Sequence, residues 1–179
     1  MTDDQLVEGA KKGDLSAFEE LVIRYQKAVY YFVLRILKDP QEAEDTVQKV
    51  FLLAFKNIRT FRAESSFKTW IYKIGLNQCH NFFRTVKNRE QVALEDLPLA
   101  DGKADPEGDV SDKELSLRLK KAVEKLPYKQ RLVVTLRIYE ELPFEEIGKV
   151  LGMRTNSAKV NFHHALEKLR VLMNEEREG

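Results

Sequence analysis

Between Ser16 and Ile58 apolar residues return every three or four positions, and no glycine interrupts them. Phe18, Leu21, Val22, Tyr25, Val29, Phe32, Val33 and Ile36 make one stripe. Ala43, Val47, Val50, Phe51, Ala54, Phe55 and Ile58 make a second. Apolar residues at a period near 3.6 share one face only on an α-helix. Asp39-Pro40 divides the stripes: an N-cap followed by proline at the first helical position, where its missing N–H costs nothing. Glycine and proline number only 8 and 5, and they gather at boundaries of this kind. No run alternates long enough to make a strand. The chain is predicted to be all-α.

The punctuation predicts two small helical domains. Thr2 with Gln5 reads as a capping box for a short first helix, which Gly13 can close with a left-handed residue. Ser16 with Glu19 reads as the start of the second helix. Ser65 or Ser66 can cap a fourth, carrying Phe67, Trp70, Ile71 and Ile74. These helices predict a bundle over 1–90. From 91 to 111 the period vanishes among Pro98, Gly102, Pro106 and Gly108, predicting a flexible acidic linker. Ser111 with Glu114 then opens a helix bearing Leu115, Leu119, Val123 and Leu126, stopped by Pro127. Further helices are predicted over 129–140, 144–151 and 156–173, within a second domain over 112–179.

Charge is segregated along this map. The chain is 33% charged with a formal net charge of +1, so its total says nothing about partners. Between Lys56 and Glu90, however, eight basic residues face only Glu64 and Glu90, a local charge of +6. Between Gln91 and Glu114 eight acids face only Lys103 and Lys113, a local charge of −6. The single cysteine, Cys79, excludes an intrachain disulfide and a four-cysteine zinc site. Cys79 and His80 point roughly 100° apart on a helix, so a thiol–imidazole pair is not expected and Cys79 reads as a small core residue. His163-His164 lacks further ligands at zinc spacing, and no phosphate-binding glycine loop is present. No metal, cofactor or catalytic constellation is expected. The acidic start Met1-Thr2-Asp3-Asp4 is unlike a signal peptide, and no apolar stretch reaches the ~18 residues of a membrane span. A cytoplasmic protein without membrane insertion is expected.

Two segments suggest nucleic acid. Glu145 to Leu151, then Gly152, then a helix capped at Thr155 has helix-turn-helix spacing. Ile147 and Val150 or Leu151 would face the core, with Val160 and Leu166 packing back. Arg154, Asn156, Ser157, Lys159, Asn161, His163 and His164 would be exposed, able to donate to phosphates and base edges. Taken alone, this segment also fits an ordinary structural helix pair. The other segment runs from Phe61 to Asn77 and interleaves Arg62, Lys68 and Lys73 with Phe61, Phe67, Trp70 and Tyr72. Cations neutralise phosphates, and aromatic faces stack on unpaired bases. Trp70 and Ile74 share the buried face and read as core, whereas the polar residues of the loop and Lys73 and Asn77 have no obvious internal task.

These segments together resemble the extracytoplasmic-function sigma factors. Asp39 to Phe55, with Glu42-Ala43-Glu44-Asp45 and Val47-Gln48-Lys49-Val50-Phe51, is similar to their polymerase-binding helix. Phe61-Arg62, Ser65-Ser66-Phe67-Lys68-Thr69-Trp70-Ile71-Tyr72-Lys73-Ile74 and Asn77 resemble their promoter-melting segment. Leu126-Pro127, Arg131, Phe144-Glu145-Glu146-Ile147 and Gly152 resemble their C-terminal region four.

The resemblance implies a transcription initiation subunit that catalyses nothing itself. Asp45, Gln48, Lys49 and Leu52 or Leu53 would dock on core RNA polymerase. Phe61, Arg62, Ser65, Lys68, Trp70, Tyr72, Lys73, Asn77 and Arg84 would bind the melted minus-ten element, with a flipped base near the loop and Asn77. Arg154, Thr155, Asn156, Ser157, Lys159, Asn161, His163 and His164 would bind the minus-thirty-five duplex. Lys159 and Asn161 are expected near base edges, and His163 or His164 on a phosphate. An anti-sigma factor partner and a monomeric free state are expected. Two departures stand out: the recognition helix carries lysine, asparagine and histidines where the family usually has arginines, and Pro143 replaces the usual Ser or Thr cap. A sequestering mimic and a nucleic-acid enzyme are the rival readings. The retained basic run with Asn77 argues against the first, and the lack of a catalytic constellation against the second.

Overall fold

A computed structural model describes residues 1–90 and 110–178. The chain divides into two compact units, Met1–Gly102 and Lys103–Gly179. Among the described residues every regular element is helical, as the periodicity predicts. The predicted linker, 91–111, lies outside the described residues except for its last two, which already belong to a helix.

In the first unit α1 (Asp3–Lys11) starts from the predicted capping box: Thr2 Oγ1 accepts from the Gln5 amide at 3.3 Å, and Gln5 Oε1 accepts from the Thr2 amide at 2.9 Å. Gly13 follows with φ +95°, a conformation that an L side chain would strain. The next helix, α2 (Leu15–Leu37), is capped by Asp14 and not by Ser16; its carboxylate accepts from the amides of Ser16 and Ala17. The correction has a simple cause, since a carboxylate at the positive end of a helix adds charge complementarity to the hydrogen bond. Asp39 caps α3 (Pro40–Asn57) with bonds of 2.8 and 3.0 Å to Gln41 and Glu42. A 3-10 turn, Ile58–Thr60, leads into a loop, and Ser66 caps α4 (Phe67–Glu90) by accepting from the Thr69 amide. Leu21, Val29, Phe32, Val33, Ala43, Val50, Ala54, Ile71 and Cys79 close the core between these helices. Burial pushes the Cys79 thiol up to about 12, so it is an inert core residue. Phe55, placed in the core stripe by periodicity, is 45% exposed and packs edge-on against Phe18.

The second unit holds α5 (Val110–Glu124), α6 (Tyr128–Val134), a π-helical turn (Thr135–Tyr139), α7 (Phe144–Leu151) and α8 (Thr155–Glu178). Since α5 begins at Val110, Ser111 is its second residue, not its cap. Ala122, Val123, Leu126, Val134, Ala165 and Leu169 form one buried cluster. No helix among the described residues is long and apolar enough to cross a membrane.

Candidate nucleic-acid interface

The surface of the first unit is organised from the inside. Phe61 is buried at 8% exposure, its ring 4.8 Å from that of Trp70. Trp70 lies 5.8 Å from Phe67, and Phe67 lies 5.4 Å from Tyr25 on α2. The Tyr25 hydroxyl donates to Asp3 of α1, and Arg24 holds the same carboxylate at 3.0 Å while reaching the Met1 carbonyl. Burial first, then the bond to Asp3, pushes the Tyr25 phenol well above its ordinary range and keeps it protonated as a donor. A line of rings thus runs from Tyr25 on α2, anchored to Asp3 of α1, to the loop at 61–66. Its members pin both ends of that loop, which turns through a left-handed Ala63 at φ +56°.

This arrangement corrects two expectations. Tyr72, grouped above with the base-stacking aromatics, is fully buried and packs edge-on against Phe32 at 5.0 Å. Phe61 is equally unavailable for stacking, because its ring is spent on Trp70. The cause is volume: a four-helix unit this small needs large side chains to fill its core, and interleaving in the sequence does not reveal which face an aromatic takes. Trp70 itself is half-buried. What remains outward is polar: Arg62, Lys73, Asn77 and Arg84 are exposed, and Ser65 and Lys68 are partly so. Arg62 meets only the equally exposed Glu64, at 3.9 Å, a pair worth little in water.

On α3, Asp45, Gln48, Lys49 and Leu52 are exposed at spacings of three and four, so they form one stripe. Leu52 is 54% exposed, and Leu53 beside it is half-buried.

The second unit presents its surface on α8. Gly152 ends α7 in the left-handed conformation at φ +67°, and the Met153 amide donates back to the Gly148 carbonyl at 2.9 Å. A Cβ on Gly148 would stand 2.6 Å from the Met153 carbonyl oxygen, so only glycine fits under this turn. Sequence reasoning passed over Gly148; its place four residues before Gly152 is the available signal. Pro143 offers no side-chain cap, as expected. Instead Arg137 stacks over Phe144 at 4.7 Å and donates to the Leu142 carbonyl, while Phe144 packs on Phe162 of α8. Cation–π and aromatic contacts hold the start of α7 where a hydroxyl usually does.

Helix α8 begins at Thr155, with Arg154 in the preceding position accepting from the Ala158 amide. Thr155, the predicted cap, is therefore the first helical residue, and the cap position falls one place earlier, on Arg154. Ala158, Ala165 and Leu169 carry the buried stripe. Val160 and Leu166, expected in the core, are 44% and 41% exposed. They stand about 200° and 100° around the helix from Ala158 and Ala165 respectively. Arg154, Asn156, Lys159, His163 and His164 are exposed; Ser157 and Asn161 are partly so. Two of these are engaged already: Asn161 donates to the Ser157 carbonyl at 2.9 Å, and His163 Nε2 lies 3.3 Å from Glu167.

The sequence pattern of Sigma-70 region 2 matches residues 21–89, and that of Sigma-70, region 4 matches 116–169. The chain is 34% identical to the ECF RNA polymerase sigma factor SigW of Bacillus subtilis, over 92% of each chain. The chain belongs to the extracytoplasmic-function sigma factors. It is also 30% identical to the RNA polymerase sigma-H factor of Pseudomonas aeruginosa over 93% of this chain and 91% of that one. With the ECF RNA polymerase sigma-E factor of Escherichia coli K12 it shares 31% identity, over 94% and 93%. Among solved structures, CnrH in complex with the cytosolic domain of CnrY superposes with a TM-score of 0.74 at 21% identity, over 97% of both chains. The sigma factor RpoE of Bartonella quintana, in complex with the anti-sigma factor NepR, does so at 0.70 and 20%, over 89% of this chain and 98% of that one. At these identities the structural likeness shows the fold alone. Sigma factors are transcription regulators, and both of the surfaces built above fall inside the matched regions.

Proposed function

We propose that this sigma factor joins core RNA polymerase through the α3 stripe of Asp45, Gln48, Lys49 and Leu52, and directs promoter-specific initiation. Arg62, Ser65, Lys68, Lys73, Asn77 and Arg84 bind the melted minus-ten strand, with the partly exposed Trp70 the ring left for a base. Helix α8 reads the minus-thirty-five duplex with Arg154, Asn156, Lys159 and their neighbours. It works in the cytoplasm, supplies no catalytic group, and is held inactive by an anti-sigma factor when not required. The observation that carries the reading is that the proposed contact residues Arg62, Lys73 and Asn77 of the first unit and Arg154, Asn156 and Lys159 of the second are exposed inside the matched regions. Cations on such a surface neutralise phosphate, and a flipped base costs a few kcal/mol that stacking and edge hydrogen bonds must recover.

Run-off transcription with purified core polymerase tests the whole reading. Promoter-dependent transcripts are expected with the wild-type chain; their absence, with the polymerase still bound, identifies a sequestering mimic. Gln48→Ala with Leu52→Asp is expected to abolish core binding at unchanged helicity. Core affinity within about twofold of wild type would remove the α3 stripe from the proposal.

A further inference from the structure

Arg59 belongs to the 3-10 turn after α3, yet the fold carries its guanidinium to the end of α1. Its Nη2 lies 3.9 Å from where a Cβ on Gly13 would stand. Lys12, exposed, immediately precedes Gly13, and Arg59 and Lys56 are exposed as well. The nearby acids have other engagements. Glu8 pairs with Lys11 at 3.5 Å, Asp14 accepts the first amides of α2, and Glu64 meets Arg62. Lys12, Lys56 and Arg59 form no ion pair among the described residues. The negative end of α1 accounts for cations at Lys11 and Lys12. It does not call for a further cation delivered from a different element. Like charges brought together on one corner repel, by about 1 kcal/mol at 4 Å even in water, unless a polyanion neutralises them.

We propose that Lys12 and Arg59 form a phosphate-binding corner for single-stranded nucleic acid. It continues the basic loop surface onto α1, which none of the recognised motifs includes. Arg59 stands two residues before Phe61, so the corner adjoins the loop and a strand leaving it meets these cations next. Lysine and arginine meet the phosphate backbone as charges, so the corner adds affinity and salt dependence without sequence preference. The inference rests on reading the loop surface as a single-strand site.

The test uses the full chain and a fluorescent oligothymidine of about 12 nucleotides, with affinity read by anisotropy across a salt series. Each lost phosphate contact should flatten the slope of log K against log salt by about 0.7 on a single strand. Lys12→Gln with Arg59→Gln is expected to flatten it by about 1.4, so that wild type loses about sevenfold more affinity than the variant between about 50 and 200 mM salt. Lys12→Arg with Arg59→Lys, which keeps both charges, is expected to retain the wild-type slope. An unchanged slope in the glutamine variant, a flattened slope in the charge-keeping variant, or no binding of the strand by wild type would each overturn the corner. Asn77→Ala serves to separate the two claims. If it leaves preference for a minus-ten strand over oligothymidine intact while the glutamine variant flattens the slope, the base-reading assignment fails and the corner stands.

Discussion

The loop surface of the first unit and the recognition helix of the second are built by opposite means. The loop at 61–66 has little regular structure of its own; the rings of Tyr25, Phe67, Trp70 and Phe61 and the Ser66 cap hold it in place. Helix α8 depends less on such support, because its backbone is rigid by itself and its inner face is made of small buried residues, Ala158 and Ala165, the latter packed with Ala122 and Val123 of α5. A loop site therefore depends on rings packed behind it, Tyr25, Phe67 and the buried Phe61, whereas a helix site depends on glycine and alanine where two backbones approach. Mutations should separate the two designs.

The largest effect is expected at Phe61. A solvent-exposed stacking residue would lose affinity on truncation and little stability. Phe61 is buried against Trp70, so Phe61→Ala should destabilise the first unit by about 3–5 kcal/mol in denaturant titration. A variant with wild-type stability and a selective loss of single-strand binding would restore Phe61 to the base-stacking role. Next comes Gly148→Ala in the second unit. The added methyl meets the Met153 carbonyl at 2.6 Å, and the turn must open at a cost of about 1–3 kcal/mol. Gly152→Ala has open space around it but keeps the positive φ, so it should cost only about 1–2 kcal/mol. Thermal unfolding of both variants ranks them; the reverse order would mean that the turn yields more easily than the left-handed residue does. Tyr25→Phe removes a hydrogen bond to the charged Asp3 and should cost about 1.5–3 kcal/mol. Because the ring stays against Phe67, its partner variant Tyr25→Ala should lower promoter opening far more at equal polymerase binding.

Much of this could be read from residues alone, for reasons that differ by position. Asp39-Pro40, Thr2 with Gln5, and Gly152 are local signals: cap, box and left-handed turn depend on neighbours in the chain, and all three were recovered. The cap of α2 is ambiguous in the sequence because Asp14 and Ser16 both satisfy the rule and only charge complementarity with the helix terminus separates them. Tyr72, Phe61 and Val160 failed for a common reason. Each sits in a stretch whose apolar residues outnumber the space on one face, and which of them turns inward is decided by the opposing helix. Gly148 carries only its spacing from Gly152 as a signal, since its need arises from a carbonyl five residues later that folds back over it. Asp45, Lys49, Lys73, Arg84, Arg154 and Lys159 are exposed, as their charge implies, because charge seldom goes inside unpaired.

The smallest effects, and the ones that bear most on the comparison, concern α8. Its exposed donors are unlike one another in freedom. Lys159 is exposed without an ion pair among the described residues, whereas Asn161 already donates to Ser157 and His163 faces Glu167 at 3.3 Å. A lysine is a flexible point charge, so Lys159→Ala should relax preference at one base position by about 1–3 kcal/mol if it reaches a base edge. His163 must leave Glu167 to meet a phosphate, and the exchange of one exposed partner for another leaves a net effect of about 1 kcal/mol or less. His163→Ala should therefore weaken all duplex sequences slightly without changing which sequence is preferred. Glu167→Ala should do the reverse, strengthening binding by freeing the imidazole and removing a carboxylate from the DNA-facing side. Affinities for minus-thirty-five duplex variants, measured across salt, distinguish these outcomes. If Glu167→Ala weakens binding, the His163–Glu167 pair orients the helix surface and does not compete with DNA for it. Helix α8 would then rely on side chains that never touch the ligand, as the loop of the first unit does, and the contrast between the two sites would be one of degree.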